Sequence, residues 1–349
     1  MLVFGGCCRC SSRRRERVGM PEKSQAVPRR DIHRFYQNGL RAFLTAFILL
    51  THSGMAQAQD YNDGVDAFNR GDYGTAYEIL EPYADTGHTQ AQSVIGLLLF
   101  EGWGVEPDHD RAFGYLSTAS EKGNTRATNN LGVMYNMGLA VAEDDAEAVR
   151  LFRLAADAGN AAAMENLGLM YYRGEGVERD MAEAVRLIRA AAERGKTGSY
   201  DLLARFHYQG DALPLDHAKA LEYASFAADQ MYPPAIHMLG ILYYRGHGVE
   251  ADLVKARALF LKAARWADKD APRSLGIMYE QGQGGPVDLP RALLWYELGR
   301  DRGRSDLQPH AEKIRGSLAP STLAQVDAEF ERCRTVHLLD CGKNLPSPD

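Results

Sequence analysis

The sequence predicts an all-α chain, a right-handed solenoid of 36-residue αα-hairpins, on three observations. A unit of fixed length is written six times without insertion or deletion, starting at Ala91, Ala127, Ala163, Ser199, Ala235 and Ala271. Within each unit apolar residues recur at i, i+4 and i+8, the spacing of one helix face. Gly and Asp stand at fixed places in every copy, where they read as a helix stop and a helix start. Period-two alternation, which a half-buried strand requires, is absent. Self-similarity at such a period marks a stacked repeat.

Numbering each unit from its first residue, the first helix (A) carries an apolar residue at place 5: Ile95, Leu131, Leu167, Leu203, Leu239 and Leu275. Place 6 is Gly, or Ala204 in the copy starting at Ser199, and place 9 is Leu99, Tyr135, Tyr171, His207, Tyr243 and Tyr279. Place 12 is always Gly (Gly102, Gly138, Gly174, Gly210, Gly246, Gly282), which ends helix A. After a loop, place 18 is always Asp (Asp108, Asp144, Asp180, Asp216, Asp252, Asp288), whose carboxylate caps the free amides of helix B. Asp144 with Glu147, and Asp180 with Glu183, read as full capping boxes. Helix B has Ala at place 22 and a large apolar residue near place 25: Tyr115, Leu151, Leu187, Tyr223, Leu259 and Trp295. The small residue at place 6 lets the two helices of a pair approach closely. Each hairpin keeps apolar surface on both flanks, so the copies must stack.

The flanks read differently. Residues 1–58 form an export signal region, with Met20 as an alternative start. Arg29, Arg30, Arg34 and Arg41 precede the nine-residue apolar run Ala42 to Leu50, and Ala56-Gln57-Ala58 supplies a small-x-small cleavage site after Ala58. A permanent membrane anchor is the competing reading, but nine residues span about half of a bilayer core as a helix. Residues 59–90 read as a shorter capping repeat, with Phe68 and Gly71 in the places of the helix-A aromatic and the Gly, and five loop residues missing. Residues 307–349 read as closing helices and a tail, with Leu323, Val326, Phe330 and Cys333 on one stripe. Only Cys333 and Cys341 remain beyond the signal region, a candidate disulfide in an oxidising compartment.

Charge narrows the function classes. The first 58 residues hold 10 of the 40 basic residues and 3 of the 46 acidic ones, leaving 30 against 43 beyond them. Such a surface repels phosphate backbones, so no nucleic-acid partner is expected. No nucleophile elbow, phosphate-binding loop, H-E-x-x-H helix or zinc-spaced Cys/His cluster occurs. The Gly-x-Gly loops follow a helix rather than a strand, against a dinucleotide site. No catalytic residue, cofactor or metal is expected, and no stable membrane span after cleavage.

The pattern L-G-x-x-Y-x-x-G-x-G-V-x-x-D-x-x-x-A, clearest in residues 167–177 and 239–249, resembles the Sel-like (Sel-one-like) repeat family, a cousin of the tetratricopeptide repeat. The resemblance covers residues 91–306. It implies a protein-binding adaptor or regulatory scaffold, exported to a bacterial periplasm, with helix A lining a concave groove. Places 3, 7, 10 and 11 then project into that groove. Its candidate partner-binding residues are Asn129, Asn130, Glu165, Asn166, Tyr172, Arg173, Asp201, Arg205, Tyr208, His237, Tyr244 and Arg245, a polar and aromatic ladder for a peptide. The same tyrosines could instead pack between adjacent A helices. Some exported cysteine-rich relatives are associated with β-lactam or peptidoglycan-like ligands, but they staple each repeat with a Cys pair, and residues 59–332 hold none. A passive spacer is a third reading.

Overall fold

The computed structural model describes residues 60–266, 268–335, 341, 342, 344 and 345. The signal region read from residues 1–58 lies outside the described residues. Among the described residues there is no strand. Helix α1 (residues 60–70) precedes α2 (Tyr73–Asp85), and six helix pairs follow. The A helices are α3 (Thr89–Glu101), α5 (Thr125–Met137), α7 (Ala161–Arg173), α9 (Thr197–Gln209), α11 (Pro233–Arg245) and α13 (Ala271–Gln281). Their B partners are α4 (His109–Glu121), α6 (Asp145–Asp157), α8 (Met181–Glu193), α10 (His217–Asp229), α12 (Leu253–Arg265) and α14 (Leu289–Asp301). Two closing helices, α15 (Gln308–Arg315) and α16 (Pro320–Thr335), pack on α14. Each helix contacts mainly the next one in sequence, as a solenoid requires.

The invariant columns do what their chemistry dictates. The place-12 Gly adopts a left-handed conformation in all six copies, with φ from 64° at Gly138 to 75° at Gly174. The place-18 Asp carboxylate accepts the amide three residues on in every copy, from 2.8 Å at Lys255 to 3.0 Å at Arg111. The capping boxes do not form. Each place-18 N–H already donates to the place-9 carbonyl of the preceding helix, Asp144 to Tyr135 and Asp180 to Tyr171 at 3.0 Å. Glu147 and Glu183 turn outward instead and pair with Arg150 and Arg186 at 2.6 Å.

The deepest positions differ from those the periodicity marks. Place 8 (Leu98, Met134, Met170, Phe206, Leu242, Met278) is buried in every copy, whereas the place-9 tyrosines are half-buried. The residue over the place-6 Gly stands at place 26, one beyond the predicted column. A Cβ on Gly132 would meet Phe152 at 2.8 Å, on Gly168 Ile188 at 2.8 Å, and on Gly240 Phe260 at 2.6 Å. The copy starting at Ser199 makes the opposite choice at both places. Ala204 replaces Gly, Ala224 replaces the large side chain, and both are fully buried. Successive pairs lock through the second loop glycine, where a Cβ on Gly176 would lie 2.2 Å from the Asp145 carbonyl oxygen of the preceding B helix.

The N-terminal cap is in a different register from the one read above. Asp72 N–H donates to the Ala67 carbonyl at 2.9 Å, so Ala67 rather than Phe68 fills place 9. Gly64 then plays place 6, with its absent Cβ 2.8 Å from Leu80. At the other end Val326 and Cys333 of α16 are buried, as the stripe predicts. Cys333 is joined to Cys341 with a Cα separation of 5.6 Å, within the usual disulfide range. Glu329 is buried beside this bridge and accepts from Arg332, the Gly342 amide and Asn344. Arg332 is the main cause that holds its carboxyl down at about 2, against the opposing pull of burial.

Candidate functional site

Two pairs of neighbouring A helices, α3 with α5 and α9 with α11, pack directly against each other, which no pair of neighbouring B helices does to the same extent. The A helices make up one face of the stack. Close approach has a cost for the predicted groove: in the copies starting at Ala127, Ser199 and Ala235 place 3 sits in the seam rather than facing solvent, whereas Arg273 in the last copy stays exposed. Asn129, Asp201 and His237 are only 7%, 4% and 8% exposed, a correction to the expectation that place 3 projects outward.

Those seam residues bond to each other. Asn166 Nδ2 donates to Asn129 Oδ1 at 2.9 Å, and Asn129 Nδ2 donates to Asn130 Oδ1 at 3.1 Å. Ser199 donates to Glu165 at 2.7 Å, with Lys196 3.5 Å from the same carboxylate. Arg205 Nε donates to Asp201 Oδ2 at 2.7 Å, while Asp201 Oδ1 is buried without a hydrogen-bond partner among the described residues. Burial pushes the Asp201 carboxyl upward, and Arg205 only partly offsets it. His237 Nε2 lies 3.0 Å from Ser274 Oγ, and burial lowers its pKa despite Asp268, 4.0 Å from Nδ1. Unsatisfied polar groups in these seams would cost about 1–3 kcal/mol each, so the ladder sets the register between repeats.

The tyrosines divide. Tyr208 lies against the rings of His217 and His247, at 5.6 and 5.7 Å, with its hydroxyl buried: a packing role. Tyr172 is half-buried against Phe206 and donates its hydroxyl to Asp211. Tyr244 is half-buried and donates to Gln283 at 3.0 Å. Arg173 is exposed, 3.4 Å from Glu175, and Arg245 is exposed with no ion-pair partner among the described residues.

One cleft of about 300 Å³ opens on this surface between α11 and α13. It brings together three predicted residues, His237, Tyr244 and Arg245, and adds Ile241, Ile277, Arg273 and Arg304. Ile241 and Ile277 occupy place 7, whose apolar column was the available signal for them. Arg304 lies beyond helix B and carries no repeat signal. The remaining predicted residues from Asn129 to Tyr208 lie outside this cleft.

The Sel1 repeat family model matches residues 89–124, 125–160, 161–196, 199–230, 233–265 and 273–303. The chain belongs to the Sel1 repeat family. Sel1 repeats typically mediate protein interactions. Among solved structures, this Sel1 repeat protein is similar to one from Oxalobacter formigenes at 26% identity and a TM-score of 0.60, covering 69% of this chain and 96% of that one. It is also similar to c5321, described as a protective antigen of uropathogenic Escherichia coli with an SLR fold, at 30% identity and a TM-score of 0.53. That match covers 74% of this chain and spans about half, 56%, of the antigen. No curated protein matches.

Proposed function

We propose that this Sel1 repeat protein is an exported, non-catalytic interaction scaffold whose A-helix surface grips a partner polypeptide. The observation that carries the reading is the cleft between α11 and α13, where half-buried Ile241, Ile277 and Tyr244 stand beside Arg245, which has no ion-pair partner among the described residues. Aromatic and Arg side chains beside an apolar floor supply most of the energy in protein recognition. Export is supported by the signal pattern in residues 1–58 and by the bridged pair Cys333–Cys341.

Affinity capture from the envelope fraction of the source cell tests the reading. Ile241→Asp with Ile277→Asp should abolish capture while circular dichroism stays helical. Leu154→Asp, at a 53% exposed position on a B helix, should leave capture intact. Equal capture by all three proteins would refute the groove. For export, the processed protein should begin at Gln59, read by N-terminal sequencing; an unprocessed chain in the cytoplasm would refute it.

A further inference from the structure

We propose that the cleft between α11 and α13 receives the free C-terminus of a partner chain, its last side chain apolar and its terminal carboxylate held by Arg245 and Arg273. This rests on the groove reading above and adds the chemistry of the occupant.

Size comes first. A space of about 300 Å³ admits one or two residues of an extended chain, not a helix laid along the stack. Its floor is apolar, made by Ile241, Ile277, Met278 and Phe260. The charged groups on its wall are Arg245, Arg273, Arg304 and Asp270. Arg304 is already engaged by Asp270 and, at 2.8 Å, by Asp306. Arg273 is held loosely, its Nε 3.8 Å from Asp306 and its side chain 54% exposed. Two guanidinium groups are thus left facing an apolar pocket, in a chain whose residues beyond the signal region hold 43 acids against 30 bases. A local positive site on an acidic surface selects an anion.

The pairing of apolar floor and cationic rim decides which anion. In an extended peptide successive side chains point to opposite faces, so an internal Asp or Glu and its apolar neighbour do not enter one pocket together. A C-terminal residue differs, because its side chain and its carboxylate share one Cα. Guanidinium groups bind carboxylates through paired, charge-assisted hydrogen bonds. Capture of a terminal carboxylate is an established peptide-recognition mode.

Selection of the mature protein, residues 59–349, against a display library of random seven-residue free C-termini tests the proposal. The enriched peptides are then measured by fluorescence polarisation as free acids and as C-terminal amides. The expected result is convergence on an apolar last residue, at least tenfold weaker binding of the amides, and at least fivefold weaker binding to Arg245→Gln and to Arg273→Gln. Amides that bind as well as acids, enrichment of internal acidic residues without preference at the last position, or no enrichment at all would each overturn it. The envelope capture described above separates the two readings: capture lost in the Ile241→Asp, Ile277→Asp protein with no preference for a free carboxylate leaves the groove standing and removes the terminus. Capture that ignores those substitutions removes the groove itself.

Discussion

The close approach of helices A and B at place 6 makes a quantitative prediction through Gly132 and Phe152. A Cβ added at Gly132 would lie 2.8 Å from Phe152 Cε1 and 2.9 Å from Cδ1, well inside the roughly 3.5–4 Å of a relaxed carbon contact. The ring is 2% exposed and has no space to yield. Overpacking of this kind costs about 1–3 kcal/mol. Ala returns about 1 kcal/mol through its better helix propensity. Gly132→Ala should therefore lose about 0–2 kcal/mol. Phe152→Ala alone leaves a cavity and should lose about 3–5 kcal/mol. In the double substitution the new Cβ no longer meets a ring, which reproduces the pairing of Ala204 with Ala224. Its loss should fall short of the sum of the single losses by about 1–3 kcal/mol. Urea unfolding followed by far-ultraviolet circular dichroism measures all three. Losses that add to within about 0.5 kcal/mol, or a Gly132→Ala protein more stable than the parent, would refute the close-approach argument.

Three further outcomes follow from local geometry. Ala140 holds φ at 62°, a conformation that costs a side-chain-bearing residue about 1 kcal/mol, so Ala140→Gly should be neutral to about 1 kcal/mol stabilising in the same urea assay. Glu329 has a folded pKa of about 2 against 4.5 for the free group, so its contribution, at most about 3 kcal/mol, is present above pH 4.5 and is lost as pH falls towards 2. Urea midpoints of Glu329→Gln should accordingly lack that part of the acid dependence. Closing the short loop from Cys333 to Cys341 should contribute about 2–3 kcal/mol, so dithiothreitol should destabilise the parent and leave Cys341→Ser unchanged.

Much of the fold was legible because its invariants act on the backbone. Gly174 must adopt positive φ and Asp180 must cap a helix, so neither place tolerates drift, and the columns stand out. Place 8 was harder to read, because Met134, Phe206 and Leu242 satisfy the same burial with different shapes. The capping boxes failed for a tertiary reason, since the Asp144 amide was already committed to Tyr135. The cap register slipped because the column at place 9 turns on that same hydrogen bond, which Ala67 makes and Phe68 does not. The candidate site was legible in part. Tyr244 and Arg245 stand in periodic places that face outward, whereas Asn129, Asp201 and His237 are buried by the spacing between repeats, which no single repeat encodes. Arg304 joins the cleft from outside the helix pairs and pairs with Asp270, so periodicity could not point to it.

The claim that the A-helix surface grips a polypeptide is tested most directly by photo-cross-linking in the source cell. A benzophenone amino acid placed at Ile277, in the cleft, is compared with the same group at Leu154, on a B helix. Adducts to one partner from position 277 and none from 154 are the predicted result. Equal labelling from both, or labelling from 154 alone, would contradict it.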